Sequence, residues 1–518
     1  TVRGVVQGVG FRPFVYGLAA RLGLTGFVGN NSAGVFIELE GPAGAIAAFE
    51  RALVDQAPPL AHIEAVSVEA IDLAGDDAFV IVTSAAQPAA ATLISPDLST
   101  CEECLRELFD PADRRYCYPF INCTNCGPRF TITRDIPYDR PLTTMAPFAM
   151  CPDCQREYDD PLDRRFHAQP NACPTCGPQV WWEQGRGANG GANRSVAGAA
   201  AIAAAQGAMA AGKIVAVKGL GGFHLACNAT DDAALALLRT RKGRVDKPFA
   251  IMAADLAAVE RVAHLDDDER RLLSSRQRPI VLLRKRDDSP LSELVAPGAN
   301  HVGVMLPYTP LHQLLLVDSR LKLGDAPVVD EEGRSSPFAS RAFLVMTSGN
   351  FSDEPIVKDN DEALSKLRDL ADGFLLHDRD IYVHCDDSVV RVFRGQELPV
   401  RRSRGYAPFP VRLPFVTRPI LAVGGELKAT FCLTRERHAF MSQHIGDMEN
   451  LETLDAFARA VGHMQAIFRN TQECIASDLH TGYLSTRSAH EQAGGQPHIA
   501  VQHHHAHIAA DMVEHGQD

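Results

Sequence analysis

The chain is 518 residues long, with a formal net charge of −13 and a pI of about 5.8. That length holds about three or four domains, and the acidic balance speaks against a dedicated nucleic-acid surface, which is usually basic. No apolar run is long enough to cross a membrane and no secretory leader precedes the first motif, so a cytoplasmic location is expected. Thr1 stands directly in front of a motif, which reads as a clipped N-terminus.

Val2–Arg12 reads VRGVVQGVGFR. A short β-rich run enters a loop with Gly8 and Gly10, and Phe11-Arg12-Pro13 opens a helix through Leu22. Backbone N–H groups of such a loop at a helix N-terminus form an anion cradle. Arg12 adds a bidentate clamp. Gly26–Asn30 (GFVGN) reads as a strand ending in Asn. These motifs resemble the acylphosphatase family over residues 1–88, which implies a ferredoxin-like fold. By that resemblance Arg12 binds the acyl phosphate and Asn30 positions the attacking water.

Residues 89–183 carry the most specific pattern. Cys101/Cys104, Cys123/Cys126, Cys151/Cys154 and Cys173/Cys176 are four Cys-x-x-Cys pairs, separated by eighteen, twenty-four and eighteen residues. The array is one unit written twice, fifty residues apart, and the copies share Asp110/Asp160, Pro111/Pro161, Asp113/Asp163, Arg114/Arg164 and Arg115/Arg165. In a chain this large without an export signal, such pairs read as metal ligands rather than disulfides. Eight thiolates make two closed four-Cys zinc sites, structural because no coordination position is left open. A zinc-ribbon-like region is expected. Spacing leaves open whether each copy closes its own site or the pairs cross. Cys117 and His167 occupy equivalent positions and read as bystanders rather than ligands.

Gln184–Asn193 (QGRGANGGAN) reads as a linker, and Val196–Ala211 as a soluble Ala-rich helix. From 194 to 405 βα alternation implies an α/β domain. Ile214–Val217 is a strand leading into KGLGGFH, Arg239–Pro248 (RTRKGRVDKP) is a dense basic loop, and Phe343–Asn350 (FLVMTSGN) is a strand ending in Ser348-Gly349-Asn350. With PYTPLH at 307–312, these pieces look like the YrdC family, which makes carbamoyl-type adenylates from ATP. That resemblance assigns nucleotide binding to Lys218, Arg241, Arg244, Lys247, Ser348 and Asn350, with Mg²⁺ as companion ion. Fixed cations would stabilise charge developing on a departing pyrophosphate. Asp386 and Asp387 are candidates to touch Mg²⁺ or the basic loop.

The last segment, 415–518, opens with ILAVGGELKATFCL, a strand, a Gly-Gly turn and a second strand suited to an actin-like phosphate loop with Lys428 at the nucleotide. His503 and His507 are four apart in VQHHHAH, hence on one face of a helix and able to share one metal ion. Iron and zinc both fit. The segment resembles the first half of the TsaD family and reads as stopping in mid-domain.

The order of all four parts resembles the HypF family of nickel–iron hydrogenase maturation carbamoyltransferases. The resemblance implies a relay: carbamoyl phosphate is hydrolysed, carbamate is adenylated with ATP, and the carbamoyl group passes to the C-terminal Cys of the partner HypE as a precursor of cyanide. No membrane partner is expected. A tRNA threonylcarbamoylation enzyme shares the YrdC-like and TsaD-like parts and is the alternative. A zinc adaptor without chemistry is disfavoured by the co-occurrence of Arg12, Asn30 and the basic loop.

Overall fold

The computed structural model describes residues 1–6, 9–31, 34–58, 61–82, 94–185, 194–316, 328–329, 335–336, 343–351 and 354–515. Gly8 and residues 186–193 of the expected linker lie outside them.

The N-terminal body is a five-stranded sheet in the order His62–Val66, Val2–Val5, Gly34–Glu40, Thr25–Asn31, Phe79–Ile81. Helices Phe11–Arg21 and Ala43–Asp55 follow the first and third strands in sequence, the split β-α-β-β-α-β arrangement. Phe11, Val15, Leu18, Val28, Val35, Phe49 and Leu53 fill its core. Gly26 is required where two strands meet: at φ 124° a Cβ there would sit 2.1 Å from the Glu38 carbonyl oxygen.

The four-Cys region is built from two short helices, Glu102–Phe109 and Pro152–Asp159, each entered from a Cys, with turns and isolated bridges between them. It does not stand apart. Cys104, Leu108, Tyr118, Cys123, Cys126 and Met145 share one buried apolar cluster with Trp182, Val217, Tyr308 and Leu375 of the next body.

That body is an eleven-stranded mixed sheet running from Gln396–Arg401 at one edge to Arg194–Ala197 at the other. Val180–Gln184, which the sequence places in the zinc region, pairs antiparallel with Gly373–His377 and so belongs to this sheet. The Ala-rich helix runs Ala199–Ala210. Helix Asp232–Lys242 carries the basic loop at its end. Asp231 caps its start by accepting from the Ala234 N–H, and Gly243 at φ 64° turns the chain out of it.

The C-terminal sheet has the order Val411–Thr417, Phe431–Met441, Ile420–Val423, Cys474–Asp478, His498–Val501, the last three parallel. Helix Leu451–Ile467 buries Phe457, Val461 and Met464 against it, together with Phe130 and Ile136 from between the zinc repeats. Phe409 packs on the N-terminal core and His438 meets Glu64 at 3.0 Å, so all four parts touch. No described helix is long and apolar enough to cross a membrane.

Candidate active sites and metal centres

Each copy of the Cys unit closes its own cluster: Cys101, Cys104, Cys123 and Cys126 in one, Cys151, Cys154, Cys173 and Cys176 in the other. Sγ–Sγ separations are 3.6, 3.8 and 3.5 Å in the first and 3.7, 3.7 and 3.6 Å in the second. A tetrahedron with Zn–S bonds of about 2.3 Å has edges of about 3.8 Å. The donor set therefore fits zinc, and Cys117 and His167 stay outside both clusters.

The copies brace each other. Arg114 and Arg115 of the first reach Cys154 Sγ at 3.3 and 3.5 Å and pair with Glu157. Arg164 and Arg165 of the second do the same to the first: Arg164 reaches Cys104 Sγ at 3.3 Å, and both pair with Glu107. Burial alone would raise the Glu157 carboxyl; Arg115 and Arg114 outweigh it and hold it at about 2. Cys104→Ser is expected to lose about one zinc per chain together with local folding, because a structural zinc contributes folding energy directly. Full metal content by elemental analysis would remove Cys104 from the ligand set.

Arg12 stands in the first turn of its helix, two residues after Gly10 at φ 74°. The four-Cys region covers this end of the domain: a Cβ on Gly10 would lie 3.5 Å from both Thr124 Oγ1 and Asn125 Oδ1, inside the Cys123/Cys126 turn. Burial lowers the Arg12 guanidinium below the ordinary arginine value, and Asp139 and Tyr158 partly offset this. Asn30 is buried on its strand, and its Oδ1 has no hydrogen-bond partner among the described residues. A buried acceptor left unpaired costs free energy, so Asn30 is suited to hold a water or substrate donor.

In the middle body, the last turn of helix Asp232–Lys242 meets the end of strand Phe343–Ser348. Lys242 Nζ donates to the Ser348 and Asn350 carbonyls at 2.7 Å each and to Asn350 Oδ1 at 2.8 Å. Ser348 Oγ donates to the same Oδ1 at 2.9 Å. Arg244 bonds Thr347 Oγ1 at 3.0 Å and lies over the Phe249 ring. Burial, then Arg244 and Lys247, pull Lys242 down to about 7, against Asp386. Burial and Arg239 bring Arg244 to about 10. Lys247 is exposed at the far end of the loop.

The structure does not bring Arg241 into this group. Arg241 Nη2 donates to Asp372 Oδ1 at 2.8 Å and ties the helix to the sheet. Adjacent residues of a helix point about 100° apart, so Lys242 and Arg241 cannot both face the turn. Asp387 also departs from expectation. It is buried between His224 Nε2 at 2.9 Å and Arg404 Nε at 2.7 Å, and Arg404 stacks on Tyr308. Burial would raise its carboxyl, but Arg404 and His224 hold it well below the usual range. Its oxygens are committed to a structural ion pair. Asp386 instead accepts from Arg401 at 3.0 Å, and its charge acts on Lys242 and Arg244 of the basic loop. Lys218 is buried, donates to the His377 carbonyl at 3.0 Å and is lowered by burial to about 8.

Lys428 is exposed at φ 52°, its N–H donating to Asp447. His503 and His507 sit on helix His503–Glu514 with their Nε2 atoms 3.1 Å apart, and His503 Nδ1 meets Asp478. A carboxylate on the far ring nitrogen is the usual way a metal-ligating imidazole is oriented. Gly425 of the Gly-Gly turn lies against His503.

Four families match the chain in order: acylphosphatase over residues 1–81, the HypF finger over 100–133 and 150–183, a Sua5/YciO/YrdC family described as telomere recombination over 207–403, and the HypF Kae1-like domain over 416–514. Carbamoyltransferase HypF2 of Cupriavidus necator is 49% identical over 100% of this chain, and carbamoyltransferase HypF of Synechocystis sp. is 48% identical over 99%. The chain belongs to the HypF carbamoyltransferase family. It spans 63% and 64% of the lengths of those two relatives. A crystal structure of full-length HypF in the phosphate- and nucleotide-bound form is 47% identical and matches all of this chain, and 64% of its own, with a TM-score of 0.89. HypF of T. kodakarensis, 42% identical, matches with a TM-score of 0.86 over all of this chain and 64% of its own.

Sequence reasoning did not single out Lys242, the residue of the basic loop that reaches the Ser348–Asn350 turn. Its signal was present: a capped helix ending at Gly243 fixes which side of the last turn faces the following strand.

Proposed function

We propose that this chain carries the carbamoyl phosphate-hydrolysing and carbamoyl-adenylating sites of a hydrogenase-maturation carbamoyltransferase. Arg12 and the loop N–H groups hold the phosphate, and Asn30 orients the attacking water. Phosphate leaves and carbamate remains. In the middle body the carbamate oxygen attacks the α-phosphorus of ATP, and pyrophosphate departs. Lys242, Arg244 and Lys247 hold the triphosphate, accompanied by Mg²⁺; Ser348 and Asn350 hold the nucleotide, and Lys218, bonded to the His377 carbonyl, is a further candidate contact. Carbamate is short-lived in water, so carrying both sites on one chain limits its loss.

His503 and His507, oriented by Asp478, would hold a metal ion near Lys428. That ion would supply charge stabilisation for a nucleotide in the C-terminal body. Transfer to the C-terminal Cys of HypE completes the relay, and the acceptor is a protein thiolate.

The observation that carries this reading is Lys242. It is a buried cation, weakened by two neighbouring cations and stationed on the Ser348–Asn350 turn. An anionic ligand relieves that repulsion. Pyrophosphate release from ATP tests it. Release that depends on carbamoyl phosphate is expected. Release that depends instead on threonine and bicarbonate would move the chain to threonylcarbamoylation, and no release from folded, zinc-loaded protein would leave an adaptor.

A further inference from the structure

We propose that the second four-Cys repeat forms the outer wall of the Arg12 site, with Tyr158 and His167 as positioning residues that admit only a small acyl group. The inference rests on Arg12 being the acyl phosphate ligand.

The two repeats keep one backbone but not one surface. Cys117 N–H donates to the Leu108 carbonyl at 2.8 Å, and His167 N–H donates to the Tyr158 carbonyl at 3.1 Å. Both donor residues are left-handed, at φ 55° and 51°. The side chains on this shared frame differ. Leu108, Cys117 and Pro119 of the first copy stand where the second has Tyr158, His167 and Gln169. In the first copy Leu108 is buried in the apolar cluster shared with the middle body. In the second the same patch is polar and aromatic, with Tyr158 and His167 half-buried and Gln169 buried.

That patch is organised. The Tyr158 and His167 rings stack with centroids 5.0 Å apart and planes 5° from parallel, and Phe166 backs the imidazole at 4.2 Å. Tyr158 Oη donates to Gln169 Oε1 at 2.9 Å, an oxygen that also accepts the Arg140 N–H at 2.7 Å. The second repeat reaches the Arg12 end of the N-terminal body through Thr124, which a Cβ on Gly10 would meet and whose Oγ1 donates to the Arg164 carbonyl at 3.0 Å, and the charges of Arg12 and Asp139 act on the stack. Burial and then Arg12 lower His167 to about 4, against Asp159, so the imidazole is neutral at ordinary pH and does not compete for phosphate. Gly10 itself meets the Cys123/Cys126 turn. The phosphate loop and Arg12 are thus flanked by metal-held structure from both repeats. Rings placed in this way would limit the room for the acyl substituent of a phosphate held on Arg12.

The test uses the full, zinc-loaded chain and two substrates, carbamoyl phosphate and benzoyl phosphate, with phosphate release as readout. The wild type is expected to favour carbamoyl phosphate. Tyr158→Leu installs the residue that the first repeat carries on the same frame, and His167→Asn keeps a residue that tolerates the left-handed backbone. In each variant the ratio of kcat/KM for carbamoyl over benzoyl phosphate is expected to fall about tenfold or more, with both zinc sites filled. An unchanged ratio in both, a loss equal for both substrates, or zinc loss in both variants would overturn the inference. Failure of the wild type to hydrolyse carbamoyl phosphate would instead remove the proposed function itself.

Discussion

Arg12→Ala is expected to lower carbamoyl phosphate hydrolysis on the order of a thousandfold, the scale seen when one fixed donor to a developing charge is removed. The side chain stands at a helix start, beside a glycine loop and under the zinc repeats, where water is a poor substitute. Arg12→Lys is expected to rescue little, because a point charge does not reproduce a two-pronged clamp. Zinc content is expected to stay unchanged, since the two clusters are made of the eight Cys alone. Phosphate release is the measurement. Wild-type rates in Arg12→Ala would refute the assignment.

Lys242→Met is expected to lower ATP-dependent pyrophosphate release by about a hundredfold or more, while Arg241→Ala, one residue away, leaves most of it. Lys242 bonds three oxygens of the Ser348–Asn350 turn; Arg241 bonds Asp372. The contrast separates charge at the nucleotide from charge in general. The sign with pH follows from the depressed Lys242: its cation is present below about 7 and lost above it, so ATP affinity is expected to weaken as pH rises through neutrality. Full activity in Lys242→Met, or none in Arg241→Ala, would reverse the roles given to the two residues.

The parts of the molecule legible from sequence were those that local chemistry determines. Cys spacing defined the doubled unit, because two thiolates on one turn have few other uses. Glycine placement defined the loop before Arg12. The departures arise where tertiary packing decides. Closure of each cluster within its own copy depends on the approach of a turn eighteen residues away. Asp387 looked like a free carboxylate in a charged run, yet His224 and Arg404 reach it from distant strands and loops. Val180–Gln184 joined the large sheet because Gly373–His377 offered an open edge almost two hundred residues on. Arg241 and Lys242 were equal in composition and differed only in the side of the helix they face.

The reciprocal reach of Arg114/Arg115 and Arg164/Arg165 has a consequence for how the two metal ions come and go. Each four-thiolate site with a divalent ion carries a net charge of about −2, and the cations facing it belong to the other copy. Emptying one site releases its own helix and, with it, the arginines that face its twin. The two sites are therefore coupled: loss of one ion is expected to weaken the hold on the other without by itself emptying it. A duplication locked in this way cannot shed either half, even where only one copy keeps a second task.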